Sequence, residues 1–265
     1  MFEAVKLAVA LGGSTACALY DLKTSDMLDV LAIGMIIFGL GIHAYESYIL
    51  GDPLPFLLSA GTGLLFLAFG LLMYYTGSWG GGDGELLVAI GVLLPVGFLT
   101  PLFTPLFFLN VFLVGGIYSL VYSAVITRNN SRVWREFRAS VVRNRKKDLF
   151  AASAFLAAFG LASLVLESPL FLAAGLLLAV SPFALRFARA VEAYGFYRRI
   201  PVSRLRKGDV IGEDVPEAGV FKKYIRGLTE EEVSRLKRVR KFVTVRDGVR
   251  YGPVFPLALL LTLLL

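Results

Sequence analysis

The chain has 265 residues, of which 57% are hydrophobic and 18% are charged, and its mean hydropathy is +0.71. This composition excludes an ordinary water-soluble protein, because so many apolar side chains cannot be hidden inside a core of normal proportions. A net charge of +7 would suit a nucleic-acid partner, but the basic residues are confined to a few segments and no such partner is expected. The only cysteine, Cys17, excludes an internal disulfide and a four-thiolate metal site.

Apolar runs that approach the thickness of a bilayer divide the sequence into eight predicted helices. Their predicted bounds are 3–20, 28–45, 54–76, 85–103, 105–126, 149–166, 169–187 and 253–265. We expect the first run to be a retained helix rather than a cleaved signal peptide. The acidic Glu3 precedes the only lysine of the run, and Asp21 comes directly after the end of the run. The sequence therefore predicts an all-α polytopic membrane protein with about eight transmembrane helices.

The distribution of basic residues predicts the orientation of these helices. Of the 27 lysine and arginine residues, every one except Lys6 lies on the side that carries the connections 127–148 and 189–252. By the positive-inside rule this side faces the cytoplasm, which places the N-terminus outside a multi-pass protein of the plasma membrane. The basic connection 127–148 is expected to bind lipid headgroups.

The predicted domain organisation has three parts, which are a membrane core, a small cytoplasmic α+β domain between the last two helices, and a terminal membrane segment. These parts cover residues 1–188, 189–252 and 253–265. In the small domain, Thr229-Glu-Glu-Glu232 has the spacing of a capping box and predicts a helix. Residues 242–251 alternate in polarity around an Asp-Gly pair, which predicts a β-hairpin.

Two aspartates lie next to predicted helices on the cytoplasmic side. Asp21 ends the first helix, and Asp83 follows a run of three glycines just before the fourth. Two carboxyl groups that come together in a partly desolvated site share one proton and titrate as a unit. One can then take a proton from water while the other protonates a carbonyl oxygen, as in aspartic proteases, and this chemistry needs neither a metal nor a cofactor.

The residues around the aspartates are candidates for binding a peptide substrate. Three glycines without Cβ atoms would let an extended peptide approach the backbone and pair with it as an added strand, and they can adopt positive φ angles. These glycines are Gly80, Gly81 and Gly82. Asp26, Asp29 and Glu85 make the mouth of the site acidic and would attract a basic peptide. The alternative for Asp26 and Asp29 is that they only solvate a tight loop.

Structural interpretations of the same residues remain open. Asp21 could simply end the first helix at the level of the lipid headgroups, and Asp83 could be the N-cap of the fourth. Glu85 could stabilise the first turn of that helix through the helix dipole. His43, the only histidine, lies on an apolar helix with no second ligand nearby, so we expect it to pack rather than to bind a metal.

Three segments make the sequence resemble the type IV prepilin peptidase family, particularly its archaeal preflagellin (archaellin) and pilin peptidase branch. They are Tyr20-Asp21-Leu-Lys-Thr, Gly80-Gly81-Gly82-Asp83 and Tyr251-Gly-Pro-Val-Phe-Pro-Leu. The resemblance implies that Asp21 and Asp83 are a catalytic pair. It also implies that pilin or archaellin precursors are the substrates, and that their short basic leader is cleaved off at the cytoplasmic face, just before the hydrophobic helix.

The sequence departs from this family at two points. Members have an isoleucine-proline after the loop of the first aspartate, where this chain has Met27-Leu28. Bacterial relatives, which methylate the new amino terminus, carry a cysteine-rich cytoplasmic domain that is not visible here. The resemblance therefore implies an aspartic endopeptidase without methyltransferase activity.

Two other classes of membrane protein are alternatives. An intramembrane protease of the presenilin and signal-peptide-peptidase type also pairs Tyr-Asp with GxGD, but it predicts nine helices and a proline-alanine-leucine motif, where this chain has Pro256-Leu-Ala-Leu. An ion-coupled transporter would place its charges near mid-membrane on broken helices and show inverted repeats. Neither feature of a transporter is visible in this sequence.

Overall fold

The structure is a computed structural model, and it describes residues 2–221 and 227–265. Within these residues the chain is mostly helical, with one small β-sheet. The helices are α1 (Glu3–Thr24), α2 (Asp29–Leu50), α3 (Leu54–Tyr75), α4 (Gly81–Leu93), α5 (Phe103–Thr127), α6 (Ser131–Val165), α7 (Pro169–Tyr194), α8 (Glu230–Val239) and α9 (Val254–Leu264). The chain divides into two compact units. The first comprises Met1–Ser119 and Val249–Leu265, and the second comprises Leu120–Gly248.

Six of the described helices are long and apolar enough to cross a membrane, namely α1, α2, α3, α5, α6 and α7. Helices α4 and α9 have only 13 and 11 residues. A span needs about 20 residues, so these two helices are too short to cross a bilayer by themselves. The structure therefore confirms a polytopic helical membrane protein with a small sheet, but not the predicted count of eight spans.

The predicted helix 85–103 is wrong in its second half, because α4 ends at Leu93. Pro95 follows two residues later, and a proline disfavours helical angles in the residue before it. The chain then turns through positive φ angles at Gly97 and Leu99 before α5 begins at Phe103.

The early end of α4 leaves buried backbone carbonyl groups, and neighbouring helices supply their hydrogen bonds. The carbonyls of residues 92–95 accept from side chains on α2, α3 and α5. Ser59 donates at 2.8 Å, Thr104 at 2.7 and 2.9 Å, and the His43 ring lies 3.3 Å from its carbonyl. Carbonyls at a helix end away from water need such partners. His43 is buried, as expected for a packed histidine.

Small residues allow the other helices of the first unit to enclose α4. A Cβ atom on Gly70 of α3 would lie 3.0 Å from the Cα atom of Gly84 of α4, so the two backbones touch at this point. Glycines at 39 and 63 make room for the side chain of Val92. The apolar side chains of α4 are buried as a result, and they form the centre of the main hydrophobic core.

A buried ion pair lies near the opposite end of α1 from Asp21. The Lys6 ammonium is 2.7 Å from the Glu46 carboxylate of α2, and both side chains are buried. His43 Nδ1 lies 3.2 Å from the same carboxylate. Removing one partner would leave a buried charge uncompensated and lower the stability of the protein. The ion pair therefore holds α1 against α2.

In the second unit, the predicted basic loop 127–148 is helical, which corrects that prediction. Most of it forms the first half of α6, a helix of 35 residues. Asn130 caps this helix, since its side-chain oxygen accepts from the backbone of Arg132 and Val133. Further along, Asp148 of α6 and Arg186 of α7 form a two-pronged ion pair at 2.5 and 2.8 Å.

The second unit also contains the small sheet, in which the predicted hairpin at 242–251 does not form. Strands β1 (Tyr197–Pro201), β2 (Val210–Ile211) and β3 (Phe242–Arg246) are arranged in the order β1-β3-β2, and both pairs are antiparallel. Because β3 is the central strand, both of its edges are occupied and residues 249–251 cannot pair with it.

The predicted capping box of the small domain is confirmed. Thr229 is the N-cap of α8 and its hydroxyl accepts from the backbone of Glu232 at 3.3 Å. In return, the Glu232 carboxylate accepts from the Thr229 backbone at 2.9 Å. Val233 and Leu236 of this helix are buried in the core of the sheet.

Candidate active site

Asp21 lies in the last turn of α1, and its side chain points into the first unit. Only 6% of the residue is exposed, and Oδ2 accepts a hydrogen bond of 2.9 Å from the backbone N–H of Gly252. The helix itself is closed by its backbone, because the N–H of Ser25 donates to the Asp21 carbonyl. The Asp21 carboxylate is therefore not an exposed group at a helix end.

Asp83 lies in the first turn of α4. It is the third residue of the helix rather than its N-cap, and its Oδ2 accepts from the N–H of Gly80, the actual N-cap, at 3.0 Å. Burial and, to a smaller extent, the negative charge of Asp21 raise the pKa of Asp83 to about 7, against the opposing effect of the Gly80 hydrogen bond. Near neutral pH this carboxyl group is therefore partly protonated.

The two aspartates act on each other although they come from different helices. Helices α1 and α4 are in contact, and the charge of Asp21 contributes to the raised pKa of Asp83. In such a pair one carboxyl group can hold a proton while the other is ionised. The arrangement can activate water on one side and supply a proton on the other. No group of three or more metal-binding side chains is present in residues 2–221 and 227–265.

Of the three acidic residues predicted at the mouth of the site, Asp26 acts on Asp21, and Asp29 acts on Glu85. Asp26 is exposed in the loop after α1, where its carboxylate accepts from the next backbone N–H at 3.0 Å, and its charge acts on Asp21. Asp29, also exposed, begins α2. Burial and the charge of Asp29 raise the pKa of Glu85, whose Oε2 is buried and accepts no hydrogen bond within the described chain.

The three glycines beside Asp83 have different surroundings. Gly80 and Gly81 are exposed, whereas Gly82 is packed so closely against Met27 that a Cβ atom would overlap that side chain. The expectation of positive φ angles in this run is wrong, since Gly80 is extended with φ −73° and α4 begins at Gly81. A helix start supplies free N–H groups without left-handed angles.

Sequence reasoning missed the aromatic side of the site. Tyr251 is half-buried against Trp79 with a ring separation of 5.4 Å, and its hydroxyl donates to the carbonyl of Val111 at 3.2 Å. Burial and, to a smaller extent, the charge of Asp83 raise the pKa of Tyr251 to about 12, against the opposing effect of a Trp79 hydrogen bond. In the sequence, Tyr251 was part of the family resemblance, but nothing placed it beside an aspartate.

The different surroundings of neighbouring glycines generate a stability prediction. Gly82→Ala is expected to lower the melting temperature, because the new methyl group would overlap Met27, and overpacking of this kind costs about 1–3 kcal/mol. The matched control is Gly81→Ala, where the nearest other side chain, that of Tyr74, is 4.0 Å away. Thermal unfolding of both variants in detergent tests this, and equal melting temperatures would contradict the packing at Met27.

The similarity of this chain to a known protein family lies almost entirely in the first unit. A model of the type IV leader peptidase family matches residues 8–120. A preflagellin peptidase of Methanocaldococcus jannaschii is 35% identical over 94 residues, which are 36% of this chain and 39% of that protein. One of Methanococcus voltae is 31% identical over 127 residues, which are 44% of this chain and 54% of that protein.

The chain thus matches about half or less of the length of these relatives. No solved structure matches it at a significant level. The matched segment contains both Asp21 and Asp83, with the helices that carry them. The resemblance to the type IV prepilin peptidase family is thereby confirmed for residues 8–120.

Proposed function

We propose that this chain is a membrane aspartyl endopeptidase that removes the short basic leader from type IV pilin-like or archaellin precursors. The observation that carries the proposal is the pair Asp21 and Asp83, which two helices bring within electrostatic reach of each other. Each carboxyl group accepts a backbone N–H, and the pKa of Asp83 is raised to about 7, so that this group is partly protonated near neutral pH. Acid–base hydrolysis of a peptide bond requires a pair in which one carboxyl group can hold a proton while the other is ionised.

In the proposed mechanism the two aspartates divide the proton transfers between them. Ionised Asp21 takes a proton from the water that attacks the scissile carbonyl carbon, and protonated Asp83 gives its proton to the carbonyl oxygen. The tetrahedral gem-diol then collapses and its C–N bond breaks. The new amine receives the proton held by Asp21, and one hydroxyl of the diol returns its proton to Asp83 as the carboxylic acid forms, which restores the starting protonation of the pair. The reaction consumes one water molecule, and no covalent intermediate or cofactor takes part.

The surroundings of the pair support a basic peptide as the substrate. Asp26, Asp29 and Glu85 place negative charge beside the two aspartates. The exposed backbone of Gly80 and Gly81 lies next to Asp83 and offers an approach for an extended segment. The curated relatives are named preflagellin peptidases, and a short basic leader is the part of such a precursor that these acidic groups would attract.

The proposed setting is the plasma membrane, with the active site toward the cytoplasm. Six apolar helices support a multi-pass protein, and the positive-inside rule assigns the basic connections to the cytoplasmic side. This orientation puts the N-terminus outside and lets the basic part of α6 contact lipid headgroups. We expect peptidase activity without N-methylation of the product.

The proposal predicts that both carboxyl groups are required. Asp21→Asn and Asp83→Asn are each expected to reduce cleavage of a pilin or archaellin precursor by at least about 100-fold, since each removes one proton-transfer group. The measurement is cleavage in detergent or membranes at matched expression, and Asp52→Asn, at an exposed carboxylate before α3, is the control. Full activity of either variant, or a panel of precursors left intact by the unchanged chain, would favour a transporter instead.

Loss of activity in Asp83→Asn should not come from unfolding. The folded-state pKa of Asp83 lies above that of a free aspartate, so stability falls between about pH 4, where the unfolded chain ionises this group, and about pH 7, where the folded protein ionises it too. The full cost remains above pH 7, and there is none below about pH 4, where both forms are protonated. Asp83→Asn is therefore expected to be no less stable than the unchanged chain at pH 8.

The pKa of Asp83 also predicts how the rate depends on pH. The cleavage rate should fall as the pH rises through about 7, by up to tenfold per pH unit, because Asp83 loses the proton that the carbonyl oxygen must receive. The rate is measured between pH 5 and pH 9 with a precursor whose leader contains only lysine and arginine as titratable groups. A rate that is constant up to pH 9 would be incompatible with Asp83 as the acid.

The acidic mouth predicts a dependence on substrate charge. Asp26→Asn combined with Asp29→Asn is expected to raise the KM for a basic-leader precursor several-fold and to leave kcat nearly unchanged, because the two charges attract the leader without reacting. Added salt should have the same effect on the unchanged chain. If the KM proved insensitive to both salt and the substitutions, these residues would have no part in binding the leader.

A further inference from the structure

We infer that the segment Arg250–Gly252, immediately before α9, is a positioning element that sets the placement of both aspartates. The inference rests on the proposed function and deepens it. The segment belongs to the first unit although about 130 residues of the second unit separate it from the rest of that unit in sequence. Its three residues contact the end of α1 and the surroundings of Asp83, and none of them is needed for a proton transfer.

Gly252, the last residue of the segment, is in direct contact with Asp21. The N–H of Gly252 donates to Oδ2 of Asp21 at 2.9 Å. A Cβ atom on Gly252 would lie 3.0 Å from that oxygen, 3.1 Å from Cβ of Asp21 and 3.2 Å from Cα of Ala18. The Asp21 side chain can yield more easily than the backbone at Ala18, so a methyl group here would displace the carboxylate by a few tenths of an ångström. Space, rather than a left-handed φ angle, therefore favours glycine at this position.

Tyr251, the residue before Gly252, is held in place by aromatic and hydrogen-bond contacts. Its ring packs against Trp79 and Phe255, with centroid separations of 5.4 and 6.0 Å. Its hydroxyl reaches α5, where it donates to the Val111 carbonyl and occupies the space left by the missing Cβ atom of Gly115. Three contacts thus fix the ring on the side of the site that faces Asp83.

Arg250 connects the segment to the end of α1 by a hydrogen bond. The Arg250 guanidinium donates to the carbonyl of Leu22, the residue after Asp21. Its positive charge also acts on Asp21 itself. The segment therefore binds the backbone and the carboxylate of the same helix turn, while its tyrosine packs beside the other aspartate.

These contacts predict a specific kinetic effect. A positioning element fixes where the carboxyl groups stand relative to the scissile bond, and it does not contact the leader. Displacing a reacting group by about 1 Å can cost roughly 100-fold in rate. Disturbing the segment should therefore lower kcat and leave the KM for the precursor nearly unchanged, whereas a purely structural role would change stability without changing the kcat of the folded protein.

The experiment uses two matched pairs of glycine substitutions in the full-length chain. Gly252→Ala is compared with Gly12→Ala on α1, and Gly115→Ala is compared with Gly116→Ala on α5. A Cβ atom at Gly12 or Gly116 meets nothing within 4 Å, whereas at Gly252 and Gly115 it meets Asp21 and the Tyr251 hydroxyl. The kcat and KM for cleavage of a purified precursor and the melting temperature are measured for all four variants.

We expect Gly252→Ala and Gly115→Ala to lower kcat about 10- to 100-fold with the KM within about twofold, and both control variants to retain the kcat of the unchanged chain. Tyr251→Phe keeps the ring and removes only the hydroxyl, so it should fold even if an alanine variant does not, and it should lower kcat by a smaller factor. In the Gly115→Ala background, Tyr251→Phe should restore part of the lost rate because it removes the overlapping oxygen.

The outcomes separate this inference from the proposed function. Normal kcat in Gly252→Ala, Gly115→Ala and Tyr251→Phe, with Asp21→Asn inactive, would overturn the positioning role and leave the peptidase intact. A raised KM with unchanged kcat would also overturn it, because the segment would then bind substrate. If the unchanged chain cleaves no precursor, the proposed function fails and the inference fails with it.

Discussion

The enclosure of the short helix α4 is the constraint on which the first unit depends. This helix carries Asp83 at its start, and three other helices surround it. It ends inside the protein, where side chains of α2, α3 and α5 satisfy its last carbonyls. Close contact at Gly70 and Gly84 lets α3 approach its first turn. These contacts hold α4 at both ends, and Asp21 comes to Asp83 from a different helix.

Asp21 lies at the end of α1, where several constraints converge. The helix is tied to α2 by the buried pair of Lys6 and Glu46 near its other end. About 15 residues of α1 separate the two points, or roughly 22 Å of helix. At the aspartate end, Gly252 holds the carboxylate through its backbone N–H. Contacts at both ends of one rigid rod limit how α1 can tilt, and therefore where Asp21 lies.

The electrostatics of the site follow from this packing. A carboxyl group that is held away from water and close to a second carboxyl group retains its proton up to a higher pH, and Asp83 shows this effect with a pKa of about 7. Exposed acidic groups such as Asp26 lie at the rim, where their charge remains in contact with solvent. The same short stretch of chain thus offers a partly protonated acid inside and a negative surface outside, which suits hydrolysis of a basic peptide.

The sequence by itself determined the class of protein and the identity of the aspartates. The lengths of the apolar runs predicted most of the helices, and a capping box predicted α8. The motifs around Asp21 and Asp83 indicated the family whose model matches residues 8–120. These features are local, so a pattern of nearby residues is enough to reveal them. Tertiary structure decided the rest. It made β3 a central strand instead of half a hairpin, and it brought Gly252 to Asp21. Each of these results depends on a contact between residues far apart in the chain, and no local pattern encodes which distant atoms will meet.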